Sequence, residues 1–295
     1  MAPGEEPVAF LGIGTMGRAM ATSAIREGVP TVVWNRDPRS LRDLADLGAE
    51  VAETPDDAAR RAGIVVTMVT DADAVLSIAK DQGMLAALSP GAVWVQMSTI
   101  GVDGIARVQA LAEAERADVT LIDAPVSGSK EPAERGQLTI FASGSELVRS
   151  RLDPLFAALG QRTIWVGPVG AGSRLKLAAN AWLALSAEAI NTSVALARRL
   201  GLEIETVVNA LGGNPLVSPW QAAKLQRISQ GDFSVQFALS LALKDVHLAL
   251  KADGDARFQA LASLADEWQQ VVELGLGDRD LTIVTRALGE EGAEA

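Results

Sequence analysis

The sequence predicts an α/β protein, in which a doubly wound, Rossmann-type sheet at the N-terminus is followed by an all-helical C-terminal domain. Apolar strand-like runs alternate with helical stretches as far as Val166, a glycine-rich turn joins the first run to a helix, and only helical patterns follow Gly167. Such alternation, with strands that are apolar throughout, is typical of a parallel sheet that is covered on both faces. We expect a first domain at residues 1–166 and a second domain at 167–295, which begins with a long interdomain helix.

The strands of the first domain are predicted from short apolar runs that are bounded by turn residues. These runs are Val8–Gly12, Thr31–Asn35, Ile64–Val69, Val93–Met97, Val119–Asp123, Leu138–Ala142 and Thr163–Val166. Helices are predicted between them, for example over Asp71–Leu88 and Gly104–Arg116. The last strands are expected to extend the sheet, and an antiparallel edge is left open.

The second domain is predicted from helical patterns that are separated by glycine- and proline-containing loops. The predicted helices are Gly172–Leu200, Glu205–Gly212, Pro219–Gln230, Ala238–Ala252, Arg257–Leu274 and Asp278–Leu288. The first of them is apolar nearly all round, which predicts a helix that is buried on every face.

The turn after the first strand has the G-x-G-x-x-G spacing of a dinucleotide-binding loop. Its residues are Gly12, Ile13, Gly14, Thr15, Met16 and Gly17. In such a loop the first glycine allows a tight turn, the second lets a pyrophosphate approach the backbone, and the third lets the helix pack on the strand. The pyrophosphate binds at the helix N-terminus, where N–H groups and the helix dipole favour anions. Because a strand, a helix and a second strand surround the motif as required, we expect it to bind a nicotinamide dinucleotide.

The end of the second strand predicts which dinucleotide is used. An acidic residue there binds the ribose 2′-hydroxyl of NAD, whereas an Arg accepts the 2′-phosphate of NADP. Asn35 stands at the expected acidic position, and Arg36 and Arg39 follow it. We therefore predict NADP (NADPH), with solvated surface charge as the alternative for the two arginines. Asp37 is expected to cap the helix that begins near Ser40.

The composition excludes several classes of protein. The chain has 295 residues and a net charge of −11, which argues against nucleic-acid binding. No secretory signal or membrane-length apolar stretch is seen, so a cytoplasmic protein is expected. The absence of Cys and Tyr and the single His argue against a metal site and against Tyr-based hydride-transfer chemistry. That His, His247, lies in an ordinary amphipathic pattern, and a structural or surface role is favoured for it.

A lysine in the long apolar helix is the remaining candidate for proton transfer. Lys176 and Asn180 are four residues apart and therefore share one helical face. A Lys in apolar surroundings loses hydration, which is expected to lower its pKa toward the range that suits an acid–base catalyst. We predict that Lys176 and Asn180 are the catalytic pair.

Ligands of open α/β sheets bind beyond the carboxyl ends of the strands, and three such ends carry suitable groups. Met68 and Val69 follow one strand, Thr99 follows the next, and the segment Ser127, Gly128, Ser129 follows the fifth. The Ser127 hydroxyl and the N–H groups of the next two residues can bind a carboxylate. The alternative for each end is an ordinary helix cap or turn.

Taken together, four motifs resemble those of the β-hydroxyacid dehydrogenases, a family that includes 3-hydroxyisobutyrate dehydrogenase. The motifs are Gly12–Gly17, Asp123-Ala-Pro-Val-Ser-Gly128, Lys176 with Asn180 after Gly167, and Lys244-Asp245. The resemblance covers about Val8 to Leu288, and it implies a nucleotide-binding domain, a long connecting helix and a helical domain that drives dimerisation. It implies a homodimer, with a tetramer as a further option.

The resemblance also implies roles for individual residues. Lys176 would exchange a proton with the substrate oxygen, and Asn180 would orient the substrate. Ser127 and Gly128 would hold the substrate carboxylate, with Ser129 beside them. Thr99 would contact the substrate or the nicotinamide ribose, and Lys244 would close on the cofactor.

The continuation Ser129–Leu138, and Phe237 ahead of Lys244-Asp245, look like the glyoxylate/succinic semialdehyde reductase branch of the family. Phe237 is accordingly expected to contact the substrate. Ser23 and the run Ser240–Leu243 depart from the family pattern. The expected activity is NADPH-dependent interconversion of a small aldehyde acid and its hydroxy acid. Oxidation of 3-hydroxyisobutyrate or a related β-hydroxy acid is the alternative, and an imine reductase or a non-catalytic dinucleotide-binding protein is less favoured.

Overall fold

The computed structural model describes residues 6–254 and 258–290, and the chain divides into two compact units, Met1–Lys176 and Leu177–Ala295. The division falls inside the long helix, whereas the expected boundary, after Val166, lies ahead of it. The first turn of this helix is hydrogen-bonded to residues of the sheet, which places that turn in the first unit.

One sheet contains the strands of the first unit. In the part of the chain that the structure describes they are β1 Val8–Leu11, β2 Thr31–Trp34, β3 Glu50–Val51, β4 Ile64–Thr67, β5 Val93–Gln96, β6 Thr120–Asp123, β7 Val126–Ser127, β8 Leu138–Gly144 and β9 Gly160–Trp165. The order across the sheet is β3-β2-β1-β4-β5-β6-β8-β7, and β9 pairs with β8. Strands β1 to β6 are mutually parallel, so the predicted Rossmann-type sheet is confirmed.

Beyond β6, the strands of the sheet no longer all run in the same direction. β8 runs antiparallel to both β6 and β7, and β9 runs parallel to β8. Strands β3 and β7 were not predicted, because two residues are too few to produce an alternation in the sequence.

The helices of the first unit cover both faces of the sheet. They are α1 Thr15–Arg26, α2 Arg42–Asp46, α3 Pro55–Arg60, α4 Ala72–Leu76, α5 Met84–Ala87, α6 Gly101–Glu115, α7 Lys130–Glu134, α8 Arg149–Leu159 and the start of α9 Ala171–Arg199. The single helix predicted over Asp71–Leu88 is wrong in detail. A π-helical turn follows α4, and Gly83, with a φ of +72°, then interrupts the helix.

Strands β1, β2, β4 and β5 are buried on both faces, as the continuous apolar runs predicted. In β1, Val8 and Phe10 belong to one apolar cluster, and Ala9 and Leu11 belong to the cluster on the opposite side of the sheet. Alternate residues of one strand therefore stabilise two separate layers.

The second unit is helical. After α9 it contains α10 Ile204–Leu211, α11 Pro219–Ser229, α12 Leu239–Asp253, α13 Gln259–Val271 and α14 Val284–Glu290. The predicted start of the fifth helix, Arg257, lies outside the described residues. That helix ends earlier than predicted, in a π-helical turn at Val272–Leu276 where Gly275 has a φ of +80°. The last predicted helix begins later, after a 3-10 turn at Leu281–Ile283.

Helix α9 is not buried on every face, so that prediction is wrong. Trp182, Leu185 and Leu196 are 78%, 41% and 55% exposed in the single chain, and they follow one helical stripe. The opposite face, including Ala184, Ala187 and others, packs into the core of the second unit. No described helix has the length and apolarity that crossing a membrane would require.

Candidate active site

Two glycines of the first loop are required by close backbone contacts. Gly12 has a φ of +101°, and a Cβ there would collide with the carbonyl oxygen of Met68. A Cβ on Gly17 would collide with the carbonyl oxygen of Gly12. The first and third glycines therefore fix a tight turn between β1 and α1.

The second glycine leaves room for a ligand. A Cβ built on Gly14 would meet no described atom within 4 Å, and Gly14 and Thr15 are exposed. Gly14 is the N-cap of α1, and no side chain among the described residues caps that end of the helix. The N–H groups of the first turn are thus open to an anion, and the loop fits the pyrophosphate of a dinucleotide.

Asn35, at the end of β2, holds the glycine loop in place. Its Oδ1 accepts a hydrogen bond from the backbone N–H of Ile13 at 3.1 Å, and its Nδ2 donates to Ser40 Oγ at 2.8 Å. Beyond it, Asp37 caps a 3-10 turn and pairs with Arg39 at 3.0 Å. Arg36 is exposed, and none of the described residues pairs with it. Of the two arginines, Arg36 therefore presents a guanidinium that is available to a ligand.

The ends of β4 and β5 are joined by a buried polar network. Val69 N–H donates to Ser98 Oγ at 2.8 Å. Gln96 accepts from the Ser98 N–H at 2.7 Å and donates to the Ser98 carbonyl at 2.8 Å. This network fixes Met68 and Val69 and the backbone leading to Thr99, all three of them half-buried. Sequence reasoning did not assign Gln96, although a polar residue within an apolar strand was the available signal.

The predicted carboxylate-binding segment lies where β7 turns into α7. Ser127 is the last residue of β7 and is half-buried, and Ser129 is the N-cap of α7. Gly128 has a φ of +135°, and a Cβ there would lie 2.6 Å from Leu138 Cδ2. The segment is therefore a constrained turn, which is compatible both with a ligand site and with the alternative of an ordinary helix cap.

Lys176 lies in the second turn of α9 and is only 8% exposed. The turn before it is anchored by Asp123, a buried residue at the end of β6, whose Oδ2 accepts from the Ser173 N–H at 2.8 Å. Burial raises the pKa of Asp123, against the hydrogen bonds that it accepts from Ser173 and Ser143. Asp123 belongs to one of the four sequence motifs, but the sequence alone indicates no role for it.

In the second unit, Asp245 connects two of the predicted site residues. Asn180 is buried and donates from Nδ2 to Asp245 Oδ2 at 2.5 Å, and Lys244 Nζ lies 3.0 Å from Asp245 Oδ1. Asp245 was not predicted as a site residue. His247, on the same helix, is exposed.

Phe237 lies in the segment before α12 and is half-buried. Its N–H donates to Asp280 Oδ2 at 3.1 Å, and its carbonyl accepts from the Leu281 N–H at 3.0 Å. The backbone of Phe237 is therefore held at both of its polar groups.

Comparison with known families matches most of the chain. Residues 7–167 match the family described as the NAD binding domain of 6-phosphogluconate dehydrogenase. Residues 170–288 match the family described as "NAD-binding of NADP-dependent 3-hydroxyisobutyrate dehydrogenase".

Individual relatives are similar over nearly their whole length. Glyoxylate/succinic semialdehyde reductase 1 of Arabidopsis thaliana is 31% identical over 95% of this chain and 98% of its own. NAD-dependent L-serine dehydrogenase of Pseudomonas aeruginosa is 30% identical over 95% of this chain and 96% of its own. The crystal structure of 3-hydroxyisobutyrate dehydrogenase from Salmonella typhimurium gives a TM-score of 0.86 at 25% identity, over 96% of this chain and 100% of that chain.

Proposed function

Since the chain belongs to the 3-hydroxyisobutyrate dehydrogenase family of dinucleotide-dependent β-hydroxyacid dehydrogenases, we propose that it is an NADPH-dependent reductase of a small aldehyde acid. The family resemblance of the four motifs is thereby confirmed. The observation that carries the proposal is the burial of Lys176 in α9. The relative from Arabidopsis thaliana, which is named for glyoxylate and succinic semialdehyde, supports the choice of substrate class.

The preference for NADPH rests on two residues of this chain. Asn35 takes the place of the carboxylate that would bind a ribose 2′-hydroxyl, and Arg36 offers an exposed guanidinium for a 2′-phosphate. Asp37, which is negatively charged, is turned toward Arg39 by their ion pair. The relative from Pseudomonas aeruginosa is named as NAD-dependent, so family membership leaves this choice open.

The proposed chemistry is hydride transfer coupled to proton transfer. The reduced nicotinamide, when bound, supplies the hydride that the carbonyl carbon of the substrate receives. Lys176 donates a proton to the substrate oxygen, and its positive charge stabilises the developing alkoxide more than the neutral carbonyl. Burial strengthens this effect, because less water screens the charge.

The remaining residues are proposed to bind and orient. Ser127 Oγ and the N–H groups of Gly128 and Ser129 hold the substrate carboxylate. Thr99, Asn180 and Phe237 orient the substrate. The glycine loop with Met68 and Val69, and Lys244 from the second unit, bind the cofactor.

A second candidate function is oxidation of 3-hydroxyisobutyrate or a related β-hydroxy acid. Two observations favour it. The family that matches residues 170–288 and the similar Salmonella structure are both named for 3-hydroxyisobutyrate, and L-serine, in the name of another relative, is also a 3-hydroxy acid. The same residues would serve it, with Lys176 accepting a proton instead of donating one.

We also propose that the protein is a homodimer, with a tetramer as the larger option. The apolar stripe on α9 supports this, because Trp182 and its neighbours would lose solvent-exposed area against a second copy.

The proposed function is tested by comparing aldehyde acids in one reaction direction. NADPH and NADH consumption would be followed with glyoxylate, succinic semialdehyde and methylmalonate semialdehyde, the last being the aldehyde that corresponds to 3-hydroxyisobutyrate. A kcat/KM for glyoxylate or succinic semialdehyde about ten times that for methylmalonate semialdehyde supports the reductase. The opposite order supports the second candidate, and no turnover of any of the three contradicts both.

A further inference from the structure

The carboxylate of Asp123 is the centre of a buried cluster that joins the sheet to helix α9. Its Oδ2 accepts from the Ser173 N–H and its Oδ1 accepts from Ser173 Oγ, both at 2.8 Å. Ser143, opposite Asp123 in the β6–β8 pairing, places Oγ 3.0 Å from the Asp123 carbonyl and 3.2 Å from Oδ2. All three residues are buried.

This cluster takes the place of a local helix cap. The first N–H groups of a helix have no partner within the helix. In α9 the Gly172 N–H donates to Ser143 Oγ at 3.0 Å and the next N–H donates to Asp123, so both are satisfied by side chains of the sheet. Gly172 makes a close approach possible, because a Cβ there would collide with the carbonyl oxygen of Phe141. The start of α9 is therefore fixed to β6 and β8.

Lys176 follows Ser173 by three residues, about one turn of an α-helix. Because a helix is stiff over one turn, the anchor at Ser173 sets the position of the Lys176 backbone. Strand β8, which carries Ser143 near one end, also holds Ser127, because Ser127 pairs with Thr139 near the other end of β8. Strand β8 thus connects the anchor of α9 to the proposed carboxylate-binding turn.

A cap alone does not require a buried carboxylate. A neutral Ser, Thr or Asn beside the helix would satisfy the same N–H groups. Burying a carboxylate costs free energy of desolvation. This cost is reflected in the pKa of Asp123, which burial raises. A carboxylate with two oxygens, however, can hold the N–H and the hydroxyl of Ser173 together, and this fixes the orientation of the helix turn as well as its distance.

We propose that Asp123 is a positioning residue for the proton transfer by Lys176, because its carboxylate fixes the turn of α9 that carries the lysine relative to strand β8 and Ser127. The inference rests on the proposed function, in which Lys176 is the proton donor. Displacement of a reacting group by about 1 Å can lower a rate about 100-fold. Loss of the anchor is therefore expected to slow the chemical step while cofactor binding persists.

The test compares three variants of the cluster in the full-length protein. Asp123→Ala removes the anchor, Ser173→Ala removes one of its hydrogen bonds, and Asp123→Asn keeps an oxygen that can accept from the Ser173 N–H. Thr54→Ala is the matched control, because Thr54 Oγ1 caps α3 through the Asp57 N–H at 3.3 Å, away from Lys176 in the sequence. For each variant, a fluorescence titration with NADPH gives the number of binding sites. The single-turnover rate of NADPH oxidation with saturating aldehyde acid is then divided by that number to give a rate per site.

The expected result is a rate per site that is about 10- to 100-fold lower in Asp123→Ala. The rate in Ser173→Ala is expected to be intermediate, and that in Asp123→Asn to recover most of the loss. The NADPH dissociation constant and the Thr54→Ala rate should be unchanged. A cluster that only stabilises the fold would lower the number of binding sites and leave the rate per site unaltered, which would overturn the inference.

Two further outcomes separate this inference from the proposed function. If Asp123→Ala does not fold, the comparison of Asp123→Asn and Ser173→Ala decides, and wild-type rates per site in both would overturn the positioning role. If Lys176→Ala itself keeps its activity, the proposed function fails, and the inference fails with it. If Lys176→Ala is inactive while the Asp123 and Ser173 variants are not, only the positioning role is wrong.

Discussion

Lys224 and Asp280 form a buried ion pair in the helical unit. The ammonium nitrogen lies 2.8 Å from Oδ1 and 2.9 Å from Oδ2 of the carboxylate, and the two side chains are 3% and 1% exposed. The same carboxylate accepts from the N–H groups of Gln236 and Phe237 at 3.1 Å. Burial opposes the ionisation of Asp280, but the Lys224 ammonium and these hydrogen bonds outweigh it and hold the pKa of Asp280 below its usual value. The Asp280 carboxylate therefore links α11 to the segment that precedes α12.

Breaking this pair is expected to destabilise the protein strongly. Lys224→Met leaves a buried carboxylate without its counter-ion, a change that costs about 3 to 5 kcal/mol in unfolding free energy. The double variant Lys224→Met/Asp280→Asn should recover part of that loss, because no charge is then left unpaired. Urea denaturation gives both values.

The matched control for this prediction is an exposed ion pair. Arg60 and Asp56 are 2.8 Å apart on α3 with side chains 57% and 33% exposed, and Arg60→Met should cost less than about 1 kcal/mol. Equal losses of unfolding free energy in Lys224→Met and Arg60→Met would show that burial does not increase the contribution of the Lys224–Asp280 pair to stability.

The raised pKa of Asp123 predicts a pH dependence of stability. Burial raises this pKa, so the folded protein binds the proton more readily than the unfolded chain. The contribution of Asp123 to the free energy of unfolding therefore falls as pH rises from the usual Asp value through the raised one. Asp123→Asn lacks this titration. The free energy of unfolding of the wild type relative to that of Asp123→Asn should thus increase as the pH is lowered from about 7 to about 4. A constant difference, or one that decreases, in urea titrations would contradict a raised pKa of Asp123.

The choice of cofactor is tested by two matched arginine variants. Arg36→Gln should raise the KM for NADPH about 10- to 100-fold and leave the KM for NADH unchanged, because a charge-assisted contact to the 2′-phosphate is lost. Arg39→Gln should have a smaller effect, since Asp37 already engages Arg39. Steady-state kinetics with both cofactors give these KM values. If the ratio of the KM for NADPH to the KM for NADH is the same in Arg36→Gln as in the wild type, Arg36 is not the residue that selects the cofactor.

The apolar stripe on α9 predicts the oligomeric state. Trp182→Glu places a charge in the stripe, and light scattering after gel filtration should show a smaller species than the dimer or tetramer that is expected of the wild type. Leu147→Glu is the control, because Leu147 is 93% exposed in the first unit and lies outside the stripe. A wild-type monomer, or an unchanged mass in Trp182→Glu, would show that the stripe is not the interface.

The sequence predicted those features that rest on local chemistry. Gly12 and Gly17 predict the tight turn because no other residue fits their backbone contacts. The apolar strands of the parallel sheet were found for a similar reason, since burial on both faces requires apolar residues throughout.

Features that depend on tertiary contacts were missed. Asp123 and Gln96 are polar residues in apolar strands, and their partners Ser173 and Ser98 are known only once the chain has folded. The exposure of Trp182 was also missed. An apolar helix side that is exposed in the single chain has the same sequence pattern as one that faces the core.

The proposed function depends on the ammonium group of Lys176, which supplies the proton to the substrate oxygen. The most direct measurement is the single-turnover rate of NADPH oxidation with a saturating aldehyde acid in Lys176→Ala and in the wild type, together with the NADPH dissociation constant of each. The rate in Lys176→Ala is expected to fall about 100- to 10,000-fold, as for the loss of an acid–base group, while NADPH binding is unchanged. A Lys176→Ala rate within a few-fold of the wild-type rate would show that Lys176 is not the proton donor.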